Sequence, residues 1–511
     1  MFSLFASVKS ATVSGIDGFI VTVETDVSGG LPGLEIVGMA DTSVREARQR
    51  VRSAIRNSGF DIPPRRITVN LAPAGLHKEG TQMDLAVATA ILLASGQLAE
   101  GPRTRDYAFL GELALDGSIR PVPGVLAMVL SAMESGLKGA VIPRENQAEV
   151  SFLGGIDIRI ARSLDETVGF VKGQADLTGP SHTGNGAVVP PQGYVDFREI
   201  RGQRAAKRAL EVSGAGGHNI LMSGPPGAGK SLLARAIPGI MPDLTPEEAL
   251  VVTKIWSVAG ALPPGTGLLT SRPYRAPHHT VTMAALIGGG ANPRPGEITL
   301  AHRGVLFLDE LPQFSPSVLN ALRQPLEEGV VHVTRTRGTW TFPCRFLLVA
   351  AMNPCPCGFH GSDIQDCACT EHQRKQYISR VNGPLLDRID ICIDVQRVDV
   401  SELTGASTEE PSSAVKERVT AARERQRKRL QGTGLLTNAE TGPKELSTLL
   451  NLSGAARKLL LDAYKRMKLS ARAYYRVMKV AASIADLADS PRIEEEHVAE
   501  ALSYRQRIFE S

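Results

Sequence analysis

The chain has 511 residues, 42% of them hydrophobic, 22% charged and 5% aromatic, an ordinary globular composition with length for about three or four domains. Its 57 basic and 53 acidic residues leave a net charge of only +4, so any attraction to nucleic acid has to come from local clusters and not from a global field. The longest apolar-rich run, residues 86–94, is far short of the roughly 20 residues of a bilayer-spanning helix, residues 1–15 lack the charged start of a secretion signal, and six cysteines are too few for a disulfide scaffold, so a reducing, cytoplasmic setting is expected.

In chain order, β-like runs at residues 18–23, 67–71 and 139–142 alternate with helical patterns at 43–57, 84–94 and 127–135, predicting a compact α/β domain over 1–172. Residues 173–195 are crowded with Gly, Pro, Ser and Thr and read as a linker. Apolar strands at 219–223, 305–308 and 346–351, separated by helical segments, predict parallel βαβ units in a second α/β domain over 196–400. One helix there has a legible start: Ser315 as cap, Pro316 in the first turn, and Val318, Leu319, Leu322 and Leu326 as an apolar stripe. Between it and the strand at 346–351, VVHVTRTRGTWTF alternates like a hairpin with Arg335, Arg337 and Gly338 at its tip. Beyond residue 400 the β-like runs stop, with a basic connecting helix expected over 401–440 and a helical lid over 441–511. The basic run 416–429 reads as a solvated helix face more readily than as a nucleic-acid track.

The strongest signal is GPPGAGKS, Gly224 to Ser231, directly after an apolar strand and directly before a helical run. Phosphates need inward-pointing backbone N–H groups, which Gly224, Gly227, Ala228 and Gly229 offer at a helix N-terminus, while Lys230 supplies charge to the β- and γ-phosphates and Ser231 a hydroxyl to Mg²⁺. VLFLDE then places Asp309 and Glu310 at a strand tip, one to hold Mg²⁺ and the other to polarise a water, and FLLVAAMN ends at Asn353, whose amide can orient that water. Cys355, Cys357, Cys367 and Cys369 fall within 15 residues, the ligand count of a closed tetrahedral zinc site, with His360 and His372 as substitutes and a loop of reduced thiols over 355–369 as the alternative. Cys344 and Cys392 lie in apolar surroundings and read as core residues.

These motifs, together with YRAPHHTVTMAALIGGGANPRPGEITLAHRGVLFLDELPQF, NPCPCG and GPLLDRID, resemble the AAA+ ATPases of the magnesium-chelatase-like branch, closest to its competence proteins, over nearly the entire chain. The resemblance implies an AAA+ P-loop core with a C-terminal helical lid, ATP and Mg²⁺ as cofactors, and a ring-shaped homo-oligomer, expected to be a hexamer. It gives Asn353 the sensor-1 role, makes Arg388 the finger that reaches a neighbouring subunit, and makes Arg472 the sensor-2 arginine, with Arg476 as competitor. In related rings the arginine hairpin and the Gly288–Gly290 insertion line the pore, so Arg294, Arg335 and Arg337 are candidates for gripping phosphates of single-stranded or branched DNA. The function implied is a helicase driving branch migration during natural transformation, alongside recombination proteins; the alternatives are the ATPase subunit of a metal chelatase and an ATP-switched scaffold that does not translocate.

Upstream, NLAPAGLHKEGTQMDLAVA and GSIRPVPGVLAMVLSAMESGLKGAVIPREN resemble the proteolytic domain of Lon-type proteases. Gln82 stands where the nucleophilic serine belongs and Leu126 where the activating lysine belongs, so peptide hydrolysis has no chemical agent. The domain is expected to be a scaffold, an oligomerisation surface or a second nucleic-acid surface; a helix carrying Arg45, Arg48, Arg50, Arg52 and Arg56 against Glu46 is consistent with the last and reads equally well as a solvated helix face.

Overall fold

The computed structural model describes residues 4–38, 42–75, 78, 80–181, 194–290, 293–336, 338–361, 365–381, 383–398 and 409–505. It divides into two units, one formed by Met1–Val189, Pro246–Thr270 and Pro293–Pro295, the other by Pro190–Thr245, Ser271–Asn292 and Gly296–Ser511.

The first unit is built on a seven-stranded sheet of β1 (Phe5–Ser14), β2 (Asp17–Ser28), β3 (Gly33–Val37), β4 (Arg66–Ala72), β5 (Tyr107–Phe109), β6 (Gly139–Pro143) and β7 (Asp157–Ala161), in the order β3-β4-β2-β1-β5-β6-β7. The hairpin β1–β2 and the pair β2–β4 are antiparallel, and β5, β6 and β7 run parallel. Alternation dictates the register: Val21, Val23, Thr25 and Val27 point inward while their neighbours are less buried. The helix α1 (Thr42–Asn57) buries Val44, Ala47, Val51, Ala54 and Ile55 at helical spacing. The helix α2 (Asp84–Ala94), apolar all round, is buried at every residue.

The segment Pro246–Thr270 lies inside the sequence range expected for the second domain, yet it folds with the first unit. Leu250 of its helix Pro246–Val258 packs on the cluster of Leu126, Val129 and Ile142, and Lys254 pairs with Asp17 at 2.7 Å. Ser257 donates its hydroxyl to the buried Glu149 carboxylate, and its carbonyl accepts from the Gly124 N–H at 3.0 Å.

The second unit carries a five-stranded, all-parallel sheet of β8 (Ile220–Ser223), β9 (Tyr274–Arg275), β10 (Val305–Leu308), β11 (Leu347–Met352) and β12 (Ile391–Asp394), in the order β9-β10-β11-β8-β12. Strands buried on both faces read as continuous apolar runs, which is why ILMS, VLFL and LLVAAM stand out in the sequence. The helix expected after Ser315 starts as predicted, with Ser315 accepting from the Val318 N–H, but it divides into Pro316–Ala321 and Arg323–Glu328. Pro325 has no N–H to continue the ladder, and Leu326 is only half-buried. The antiparallel hairpin follows, Val330–Arg335 against Gly338–Pro343, with Arg335 opposite Gly338. Beyond residue 408 the described residues form helices and no named strand. The helix Ser412–Arg429 is not simply a solvated basic face: Arg418 pairs with Glu211 and Glu410, Arg429 with Asp486, and Arg423 donates to the Gly214 carbonyl.

Candidate functional site

Gly224 to Gly229 turns between β8 and the helix Lys230–Ile240, with Gly227 and Gly229 at φ 76° and 89°, a backbone that glycine adopts without a Cβ clash. Gly224 meets a different limit, since a Cβ there would stand 2.0 Å from the Val395 carbonyl oxygen. A Cβ on Gly229 would meet open space. Gln203 donates to the Ala228 carbonyl at 3.1 Å, and Arg397 donates to the Pro226 carbonyl at 3.1 and 3.3 Å, so both shoulders of the loop are tied down. Lys230 donates to the carbonyls of Gly224 (2.6 Å) and Pro225 (2.9 Å) and to Asn353 Oδ1 (3.2 Å). Burial pushes its ammonium below the ordinary lysine range, with Asp309 and Glu310 acting the other way.

Ser231 Oγ lies 2.7 Å from Asp309 Oδ2, which brings one hydroxyl and one carboxylate together as oxygen donors suited to Mg²⁺. Glu310 follows at φ 51°, a left-handed conformation unusual outside glycine, with its carboxylate half-exposed. Three strand ends thus bring together two bonded pairs, Lys230 with Asn353 and Ser231 with Asp309, with Glu310 next in sequence to Asp309. Two more residues, which local spacing could not have singled out, join them. His279 Nδ1 lies 3.6 Å from Glu310 Oε2, its ring 4.0 Å from that of His278 and edge-on to Phe314. Tyr377 accepts from the Asn353 backbone and lies near Glu310 and Cys355, and burial pushes its phenol up to about 12.

The arginines assigned by resemblance lie elsewhere. Arg388 is folded into its own chain, 10% exposed, donating to Glu327 Oε1 and the Pro384 carbonyl, with its Nε buried and unpartnered. Arg476 is occupied by the carbonyls of Leu386 (3.1 Å) and Ile389 (2.8 Å), whereas Arg472 is two-thirds exposed with only a 3.8 Å approach to Asp387.

Cys355, Cys357, Cys367 and Cys369 hold their sulfurs within 4.8 Å of one another, with the first three 3.3 to 3.6 Å apart. Bonds of about 2.3 Å to a tetrahedral zinc would place sulfurs about 3.8 Å apart, so the donor set fits such an ion. Burial pushes the Cys355 thiol up to about 12, while the Phe359 N–H draws Cys357 down to about 6. The substitute ligands are not needed: the ring of His360 takes its contact from Arg374, 2.7 Å from Nδ1, and the residue offers the cluster only its backbone N–H, to Cys355 Sγ at 3.4 Å, and His372 is not among the grouped ligands. Cys344 is fully buried, and burial raises both its thiol and that of Cys392 to about 12.

Among the DNA candidates, Arg335 meets the glycine insertion, its Nε donating to the Gly290 carbonyl at 3.3 Å. Arg337 lies outside the described residues, and Arg294 is exposed in the first unit. In the first unit, Gln82 donates its amide to Thr12 Oγ1 at 3.0 Å and Leu126 is fully buried. No helix among the described residues is long and apolar enough to cross a membrane.

Family models for magnesium chelatase subunit ChlI match residues 196–403 and 23–146, and the model for its C-terminal part matches 409–505. The chain is 43% identical to the uncharacterized protein YifB of Escherichia coli, covering 98% of this chain and 96% of YifB. It is 40% identical to the competence protein ComM of Haemophilus influenzae, covering 98% of each. A Lon protease of Mycolicibacterium smegmatis is 28% identical over 159 residues, 29% of this chain and 20% of that protease.

Proposed function

The chain belongs to the magnesium-chelatase ChlI family, in its ComM-like branch, and from that premise we propose that it is a ring-forming, ATP-driven motor on DNA, a helicase that drives branch migration as incoming DNA is integrated during natural transformation. The family is one of AAA+ ATPases using ATP and Mg²⁺, and the nucleotide site has the residues for it. With nucleotide bound, Lys230 would exchange its loop carbonyls for β- and γ-phosphate oxygens, Ser231 and Asp309 would hold Mg²⁺, and Glu310 would take the proton of a water that the Asn353 amide orients. Mg²⁺ supplies charge neutralisation for the leaving phosphate. Arg388 enters a neighbouring site once it leaves Glu327, and Arg472, the less occupied of the two lid arginines, serves as sensor 2. The cysteine cluster would hold one structural zinc per chain, since its four sulfurs lie within 4.8 Å of one another.

One observation carries the motor reading. The chain leaves Glu310, builds the arginine hairpin, and returns through the strand that leads to Asn353, so the hairpin is spliced between the two residues proposed to activate and orient the water, which supports coupling of DNA contact to hydrolysis. Arginines on such a loop contact phosphates and not base edges, which makes binding sequence-tolerant and salt-sensitive. The test is ATP hydrolysis with and without DNA, together with unwinding of branched duplexes. DNA should stimulate turnover, Arg335→Ala should lower the slope of log affinity against log salt by about one phosphate's worth, and the Arg335→Ala, Arg337→Ala pair should lose unwinding. Turnover indifferent to DNA, with no unwinding of any branched substrate, refutes the motor and leaves the scaffold; a copurifying tetrapyrrole-binding subunit favours the chelatase reading that the family's name suggests.

A further inference from the structure

The cysteine cluster does not stand apart from the nucleotide site. Only Pro354 separates Asn353, which bonds Lys230, from Cys355, the most buried of the four thiols. The loop then closes on itself through the Gly358 N–H to the Cys355 carbonyl at 3.0 Å and the His360 N–H to Cys355 Sγ. That closure lays Gly358, at φ 86°, against the crest of the phosphate loop: a Cβ at this position would stand 2.6 Å from Pro226 Cδ and 3.8 Å from Asn353 Cγ. Pro226 is thereby held between Gly358 on one side and the Arg397 guanidinium on its carbonyl. Downstream of Cys369, the helix Glu371–Ser379 returns Tyr377 to the Asn353 backbone, so both ends of the cysteine loop converge on Asn353.

We propose that the metal centre formed by Cys355, Cys357, Cys367 and Cys369 is a positioning element of the nucleotide site, fixing Gly358 against Pro226 and the Asn353 amide beside Lys230. This rests on the zinc reading given above. Four thiolates around one cation would tie Cys355 and Cys357 to Cys367 and Cys369, and groups outside the bonded shell of a site help to set its geometry. The zinc is accordingly a determinant of nucleotide affinity and not only of local folding.

The experiment measures two quantities on the full chain: zinc per chain by metal analysis, and the dissociation constant of a fluorescent ATP analogue with Mg²⁺. Chelated wild type and the Cys357→Ser, Cys369→Ser variant should both lose zinc and bind the analogue about tenfold more weakly, with zinc re-addition restoring affinity to the wild type alone. Gly358→Ala keeps all four thiols; it should retain its zinc yet also bind more weakly, because its new methyl displaces Pro226. Zinc lost with affinity unchanged to within about twofold overturns the coupling and leaves the metal site standing. A wild type that binds no zinc when supplied with it overturns the metal site, and the coupling with it.

Discussion

Around Gly229 of the second unit, where a Cβ would meet open space, Lys230 bonds Asn353 and Ser231 bonds Asp309, and on the function proposed above each would exchange its protein partner for a phosphate or metal oxygen. At the positions of the first unit where the resemblance to Lon-type proteases would put a catalytic dyad, the Gln82 amide donates to Thr12, and Leu126 is sealed in a cluster with Met128 and Val129. Nearby, the Asp84 carboxylate, almost fully buried, is clamped by Arg50 at 2.9 and 3.3 Å and by the Leu113 N–H. Both units are α/β folds with polar groups inside. The difference is that one leaves its polar groups exchangeable and the other consumes them in its own architecture, which separates a site from a scaffold more sharply than fold class does.

The largest test of that contrast lies in the second unit. Lys230→Ala should abolish ATP turnover and weaken nucleotide binding together, whereas Glu310→Gln should keep binding and lower kcat by about 10² to 10⁴-fold, since only water activation is lost. Equal loss of affinity in both variants would erase the distinction between holding and activating groups. Next comes the question of whether one chain contains a whole site. Arg388→Ala should be inactive alone, and mixing it with Lys230→Ala should restore part of the activity, because each supplies what the other lacks; no recovery at any mixing ratio would confine Arg388 to its contact with Glu327.

The smallest effect belongs to the first unit and concerns stability. Burial, opposed by Arg50, raises the Asp84 carboxyl to about 6, so the folded chain holds this proton more tightly than the unfolded one. Its contribution is therefore most favourable below about pH 4 and is lost as pH rises to about 6, a change of the order of 3 kcal/mol. Asp84→Asn should flatten the melting of this unit across that window relative to wild type, with ATP turnover unchanged at pH 7.5. An identical pH profile in wild type and variant would mean that Arg50 fully compensates the burial.

What the sequence made legible was whatever is written in a few consecutive residues. GPPGAGKS and VLFLDE carry their geometry locally, because a glycine turn or a strand tip is decided within one element, and the alternation in VVHVTRTRGTWTF specifies a hairpin for the same reason. Contacts made by tertiary approach were not legible. His279 reaches Glu310 across 31 positions, Glu327 captures Arg388 across 61, and Gly358 meets Pro226 across 132, with no periodicity to announce any of them. The helix Pro246–Val258 shows the same limit: its pattern specifies an apolar face but not which core receives it.

That helix also bears on how the molecule is made. A ribosome releases residues in order, and the first unit cannot close when its own contiguous stretch has emerged. The Glu149 carboxylate, pushed above its ordinary range by burial, waits for the hydroxyl of Ser257, and the face of Leu126 and Val129 waits for Leu250. In between, the phosphate loop and its helix must be synthesised. The earlier half of the chain thus matures only after the beginning of the later half exists, and cutting the polypeptide near residue 185 would leave Pro246–Thr270 of the first unit on the C-terminal piece.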